Sequence, residues 1–320
     1  MNGSDITFFE KVGGCLMKIA ILSGNAMSYS TTRLQKAGEY NGHQVDIVDP
    51  LHCFIEINSG QPLLRYHGEV MPRYDAVIPR LEFSESNFGT AVIRQFEMMG
   101  TFSVNKSDAV VRAQDKLGQL QLLAKEGIRV PRTGFIRETE NLKDLISSVG
   151  GAPVVIKLLE SDQGRGRVST GTAKSAETII RAFMGMKVNL LVQEFINEAG
   201  GAGIRCLVIN GRVIGAIKKA GAERELYSMI HSRGSAEPVR LTQNEKDMAI
   251  KAAEIMGLNF CSVDFLQSQK GPIVTDVAPS PELEDIEEVT GRNIAGVVFD
   301  HIEKTIAPTM AKPRVTVEII

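Results

Sequence analysis

The first hundred residues alternate short apolar runs with segments whose apolar positions recur at helical spacing. Ile19–Leu22 predicts a buried strand, Thr31–Tyr40 a helix, and Gln44–Val48 and Ala76–Pro79 two further strands. Phe88, Val92, Phe96 and Met99 form one stripe of a helix over Phe88–Met99. Strands alternating with helices build an open parallel sheet, so an α/β domain is expected over residues 17–112. No Gly-x-Gly-x-x-Gly turn follows the first strand, where Ser23-Gly24-Asn25-Ala26 stands, and this removes a dinucleotide-binding reading.

The pattern changes after residue 113. Asp115–Glu126 reads as a helix with Asp115 as cap or first-turn acid, Glu138–Val149 as a helix closed by Gly150-Gly151, and Ala176–Met184 as a third. Between them lie an extended stretch over Val130–Ile136, a buried strand over Pro153–Lys157 that ends on a lysine, and a strand over Asn189–Phe195. A polar loop carrying Gly164 and Gly166 follows Lys157. From residue 197 the reading is antiparallel. Ile204–Ile209 and Arg212–Ile217 flank Asn210-Gly211, the dipeptide that suits a type I′ turn. A helix over Gln243–Met256, a second hairpin over residues 259–277 and a helix from about Asn293 complete the pattern. The expected division is therefore 113–196 and 197–309, with α+β character in the C-terminal part and a tail at 310–320. Residues 1–16 have no basic n-region and no apolar h-region, so they are expected to form a disordered extension or to precede a physiological start at Met17.

Composition narrows the class. A chain of 320 residues is long enough for two or three cores. A net charge of −2 and the absence of Trp leave neither a broad basic face nor a stacking platform for nucleic acid. No apolar run is long enough to span a bilayer. Cys15, Cys53, Cys206 and Cys261 show neither metal-ligand nor disulfide spacing, which suits a cytoplasmic protein.

The second hairpin carries the sharpest chemical signal. Asp264 and Asp276 are equidistant from Lys270 in its turn, so a symmetric register sets them opposite each other on one face. Opposed like charges destabilise a sheet, and carboxylates among Val, Phe and Ile need partners. A divalent cation with oxygen ligands would serve both. The plainer alternative is that one Asp caps a strand end while the other pairs with a Lys or Arg. Three more elements point the same way: Lys157 as a fixed cation, the loop Gln163-Gly164-Arg165-Gly166 as backbone donors for an anion, and Glu194-Phe195-Ile196 as a polar strand edge beside apolar side chains. Singly these are a snorkelling lysine, a turn and an exposed edge. Together they match what an ATP triphosphate needs. No Walker A or His-Arg-Asp set is present to favour other phosphate chemistry.

This order of elements resembles the ATP-grasp fold, and within it the ribosomal protein S6 modification-type α-L-glutamate ligases. The segments that carry the resemblance are Met17–Ser23, Asp75–Arg80, Arg94–Met98, Gln121–Ala124, Val149–Pro153, Leu191–Glu194, Ile204–Val208, Ala249–Ala253 and Thr290–Gly296. The resemblance implies an N-terminal pre-ATP-grasp domain and a two-part ATP-grasp module. It implies an enzyme that phosphorylates a carboxylate with ATP and Mg²⁺ (or Mn²⁺) so that an amine can attack the acylphosphate. The partners implied are ATP, glutamate or another amino acid, a protein or small-molecule acceptor, and further copies of the chain in a homo-oligomer. Carried over by position, Lys116 and Lys157 contact phosphates, Gln163, Gly164 and Gly166 cover them, Glu194 and Phe195 hold adenine, and Asp264 and Asp276 bind the metal. Lys219 stands where the family has an arginine that steadies the carboxylate and acylphosphate. Arg205 matches a family position with a structural or substrate-binding role, and Ser228 lies in the stretch that lines the phosphate and substrate side and is carried over as cofactor-binding.

Several positions depart from the family pattern. Asp276-Val277-Ala278 replaces a Glu-Val-Asn triplet, Gly203 an Asp near the ribose, Tyr227-Ser228-Met229 an Arg-Ser-Asn stretch, and Glu282 a Gly where an amino-acid substrate would enter. Two functions follow: a divergent ligase, or an ATP-grasp relative with impaired turnover that binds nucleotide or a partner in a regulatory role.

Overall fold

The computed structural model describes residues 16–137, 140–159, 166–199, 202–219 and 236–310. Chain order builds four sheets. The first has strands Gln44–Val48, Lys18–Leu22, Ala76–Pro79 and Phe102–Ser103 side by side, all parallel. Both faces of a parallel sheet are covered, and Ile19–Leu22 accordingly has no exposed side chain. Helix Tyr29–Tyr40 begins where Ser28 accepts a hydrogen bond from the Thr31 amide, two residues earlier than its apolar stripe predicts. Residues 53–70 form a small antiparallel sheet of three short strands that the sequence pattern did not announce. Its second hairpin turns at His67-Gly68, both at positive φ, but its strands run only two to four residues.

The second large sheet is antiparallel, in the order Arg167–Thr170, Val154–Leu158, Leu190–Glu194 and Thr133–Phe135. Helices Leu142–Ser148 and Ala173–Gly185 close one face of it around a core of their own. The first is shorter than the predicted Glu138–Val149, starting after Asn141, a residue that competes with the backbone. The second gains a turn because Thr172 caps the Ser175 amide.

The third large sheet has five antiparallel strands, ordered Ala236–Pro238, Arg212–Lys219, Gly203–Ile209, Phe260–Leu266 and Ile273–Ala278. Asn210 and Gly211 both have positive φ, as the predicted type I′ turn requires. Helix Gln243–Met256 spans the predicted residues, fixed by a capping box between Thr242 and Glu245 and by a left-handed Gly257. Helix Ile294–Met310 returns to the N-terminal half and joins the parallel sheet and the five-stranded sheet in one core. Cys53, Cys206 and Cys261 are free and buried, and burial pushes the first two thiols up to about 12. Among the described residues no helix is long and apolar enough to cross a membrane.

Candidate active site

The hairpin register is the one the sequence implies: Asp264 lies directly across from Asp276. Beyond that pair the ladder slips, so that Phe265 meets Val274 and Thr275 is left as a bulge. Each carboxylate has its own cation. Arg205, opposite Asp264 on the neighbouring strand, donates from both arms of its guanidinium, at 2.8 and 2.7 Å. Lys116 Nζ lies 2.5 Å from Asp276 Oδ1. Burial alone would raise the Asp264 pKa, but Arg205, then Lys219 and Lys116, hold it below the usual carboxylate value.

Lys116 reaches the hairpin because helix Lys116–Lys125 starts there, with Asp115 accepting from the Gly118 amide as the predicted N-cap. One turn later Gln119 clamps the same strand. Its amide group donates to the Ala113 and Val277 carbonyls and accepts from the Val277 amide. The hairpin's other end is held by Asn105, whose side chain donates to the Phe260 and Pro279 carbonyls and accepts from the Asn259 and Phe260 amides.

The antiparallel sheet of residues 133–194 faces this hairpin across a cavity of about 30 Å³ lined by Lys157, Arg167, Glu194, Phe195, Leu266 and Thr275, among others. Lys157 spans it, donating to the Thr275 carbonyl at 3.3 Å. Burial, and then the adjacent Arg167, bring the Lys157 pKa down to about 8. Glu194 sits at the cavity wall, its carboxylate held by the Arg132 amide at 2.9 Å and guanidinium at 2.7 Å. Gly166 accepts from the Leu158 amide at the mouth of the loop. Lys219 pairs with Asp285 at the edge of the five-stranded sheet. Gln163, Gly164, Tyr227, Ser228 and Met229 lie outside the described residues.

Two departures read differently in three dimensions. The Glu282 carboxylate takes Arg80 at 2.9 Å and Ser30 at 2.7 Å, tying its loop to the N-terminal domain. At Gly203 an added Cβ would find only Leu266, at 3.7 Å, so packing does not demand glycine there. Ala278 lies opposite Ser262 and offers no ligand. Gln119, Arg132 and Arg167 were missed from sequence. Only Arg167 left a signal, immediately after the Gly loop on the strand that must return beside Lys157.

The two aspartates fit a hard dication. Asp276 Oδ2 has no protein donor among the described residues, and carboxylate oxygens bonded to Arg205 keep further lone pairs. A magnesium site of one or two carboxylates, completed by phosphate oxygens and water, is a common form.

A cation-lined cleft between two antiparallel sheets, preceded by a parallel-sheet domain, defines the ATP-grasp class. Family models agree: residues 17–110 match the RimK PreATP-grasp domain and residues 113–302 the RimK-like ATP-grasp domain. Similar proteins include a probable alpha-L-glutamate ligase of Psychromonas ingrahamii, 58% identical over 91% of this chain and 96% of that one. Another, of Teredinibacter turnerae, is 56% identical over 93% and 99%. Among solved structures, the ATP-grasp ligase PsnB in complex with a phosphomimetic variant of minimal precursor, Mg and ADP matches with a TM-score of 0.72. It is 18% identical, with 92% of this chain and 100% of that one covered. A RimK domain protein from Sphaerobacter thermophilus gives 0.68 at 21% identity, over 89% and 98%. The chain belongs to the RimK-like ATP-grasp family of ligases.

Proposed function

We propose that the chain is an ATP-dependent carboxylate–amine ligase that adds glutamate to a protein or small-molecule acceptor. The observation that carries this reading is the aspartate pair facing Lys116, Lys157 and Arg205 in one cleft. The names of the relatives support glutamate as the amino acid.

In this reading a carboxylate oxygen attacks the γ-phosphorus of ATP, ADP leaves, and an acylphosphate forms. The amine nitrogen then attacks the acyl carbon, the C–O bond to phosphate breaks, and the nitrogen gives up a proton. Lys116 and Lys157 hold phosphate oxygens and offset their growing charge. Arg205 holds Asp264 in one orientation, and Gln119 does the same for the strand that carries Asp276. When bound at Asp264 and Asp276, Mg²⁺ or Mn²⁺ supplies charge neutralisation at the phosphates. Glu194 and Phe195 bound the adenine slot, with Gln163, Gly164 and Gly166 covering the phosphates. Lys219 and Ser228 serve the acylphosphate side.

The regulatory alternative draws on one observation: Ala278, on the carboxylate row of its strand, gives a metal no ligand. Incubation with ATP, Mg²⁺ and L-glutamate, followed by mass spectrometry of products and an ADP assay, separates the two. Ligation predicts glutamate-extended products matched by ADP and lost in Asp276→Ala. Nucleotide binding without product or ADP supports the alternative.

A further inference from the structure

Arg167 is the cleft's unexplained charge. It pairs directly with Lys157 across strands Val154–Leu158 and Arg167–Thr170, so two cations share one face of the sheet. Like charges directly opposite on a sheet repel. Neither has a carboxylate partner among the described residues; Lys157 finds only the Thr275 carbonyl. Arg167 Nε is sealed from solvent with no acceptor among the described residues, and both side chains line the cavity. Lys116 and Arg205 are matched by Asp276 and Asp264, and Glu194 by Arg132, so Lys157 and Arg167 leave an excess of two positive charges. A buried N–H donor without an acceptor is costly to keep. An anion between the two strands removes the repulsion and satisfies the Nε–H at once.

We propose that Arg167 is a phosphate-binding residue, gripping the polyphosphate of the nucleotide as a planar fork beside the single charge of Lys157. The inference rests on the nucleotide site proposed above and adds a contact that the sequence pattern did not supply. A guanidinium matches two phosphate oxygens at once, whereas an ammonium acts as a point charge. The cation pair also makes the empty cleft less stable than the filled one. Removing Arg167 then has opposite effects on the empty protein and on nucleotide binding.

The test is calorimetric titration of ADP and AMP, each with Mg²⁺, into the full chain and its Arg167→Leu and Arg167→Lys variants, with thermal melts of each protein without nucleotide. The proposal expects Arg167→Leu to weaken ADP by about tenfold or more, the cost of one charged hydrogen bond. It expects AMP to change little, Arg167→Lys to recover part of the loss, and the nucleotide-free melting temperature of Arg167→Leu to hold or rise. Unchanged ADP affinity overturns the proposal, and so does an equal loss for AMP, which would place Arg167 on base or ribose. A fall in nucleotide-free melting temperature with ADP affinity intact would assign Arg167 a structural role instead. A wild-type chain that binds no ADP would defeat the nucleotide reading itself, a result visible before any variant is compared.

Discussion

Asp264 and Asp276 would repel each other across their hairpin without the cations beside them, and each is matched differently. Asp264 meets a planar fork at two oxygens, a geometry that fixes its orientation; Asp276 meets the single ammonium of Lys116 and keeps one oxygen free of donors among the described residues. The sequence showed that the two acids face each other but not which cations answer them, because Arg205 lies about sixty residues upstream of Asp264, and Lys116 lies far before Asp276. Glu282 shows the same limit. From sequence it is a bulky anion replacing glycine; in the fold it neutralises Arg80, which is buried and also donates to the Pro281 carbonyl. Glu282→Gly is therefore expected to destabilise the protein by about 3 kcal/mol, by leaving a buried guanidinium without its partner. It should not improve the use of glutamate. Urea unfolding beside a product assay checks both; unchanged stability would contradict the role given to this pair.

At the scale of elements, the site depends on a helix and a hairpin held in register. Lys116 and Gln119 lie one turn apart on helix Lys116–Lys125, and both dock on strand Ile273–Ala278. Gln119→Leu would leave the Val277 amide and two carbonyls without partners in a buried place. It should cost about 2 kcal/mol in stability, and it should weaken Mg²⁺-dependent nucleotide binding without touching a ligand. Equal binding by a folded Gln119→Leu variant would show that the clamp is not needed to position Asp276. The long strands, most helices and both C-terminal hairpins were legible because period and turn chemistry are local properties of the chain; the short helices Ser107–Gln114 and Glu284–Thr290 were not. The small sheet of residues 53–70 was not, since its strands are too short to establish a period.

Across the whole molecule, the parallel sheet and the five-stranded sheet share one core through helix Ile294–Met310, while the antiparallel sheet of residues 133–194 keeps its own. Hydrogen exchange on the nucleotide-free protein should find strands Val154–Leu158 and Leu190–Glu194 opening together, at lower free energy than Lys18–Leu22. A single opening event for all three would contradict an independent core for the antiparallel sheet. The shared core also has a pH-sensitive member. His301 is buried, with Phe102 edge-on at 6.1 Å and an unpartnered Nε2; burial, aided by Lys304, lowers its pKa below 6.5. The unfolded chain therefore takes up this proton first as pH falls, so stability is lost below about pH 6.5 down to the folded value. Asp264 titrates below the ordinary carboxylate value and so acts in a lower window. Thermal melts between about pH 7 and pH 5 should show a smaller loss in His301→Leu than in the wild type; equal losses would remove His301 from the account.

The central claim is that Asp264 and Asp276, with the cations around them, form a metal-dependent ATP site. Calorimetric titration of ATP into the purified chain, with and without Mg²⁺ and beside Asp276→Ala, tests it most directly. The account predicts binding that strengthens with Mg²⁺ in the wild type and loses that dependence in the variant. Binding indifferent to the metal, or to the loss of Asp276, would contradict it.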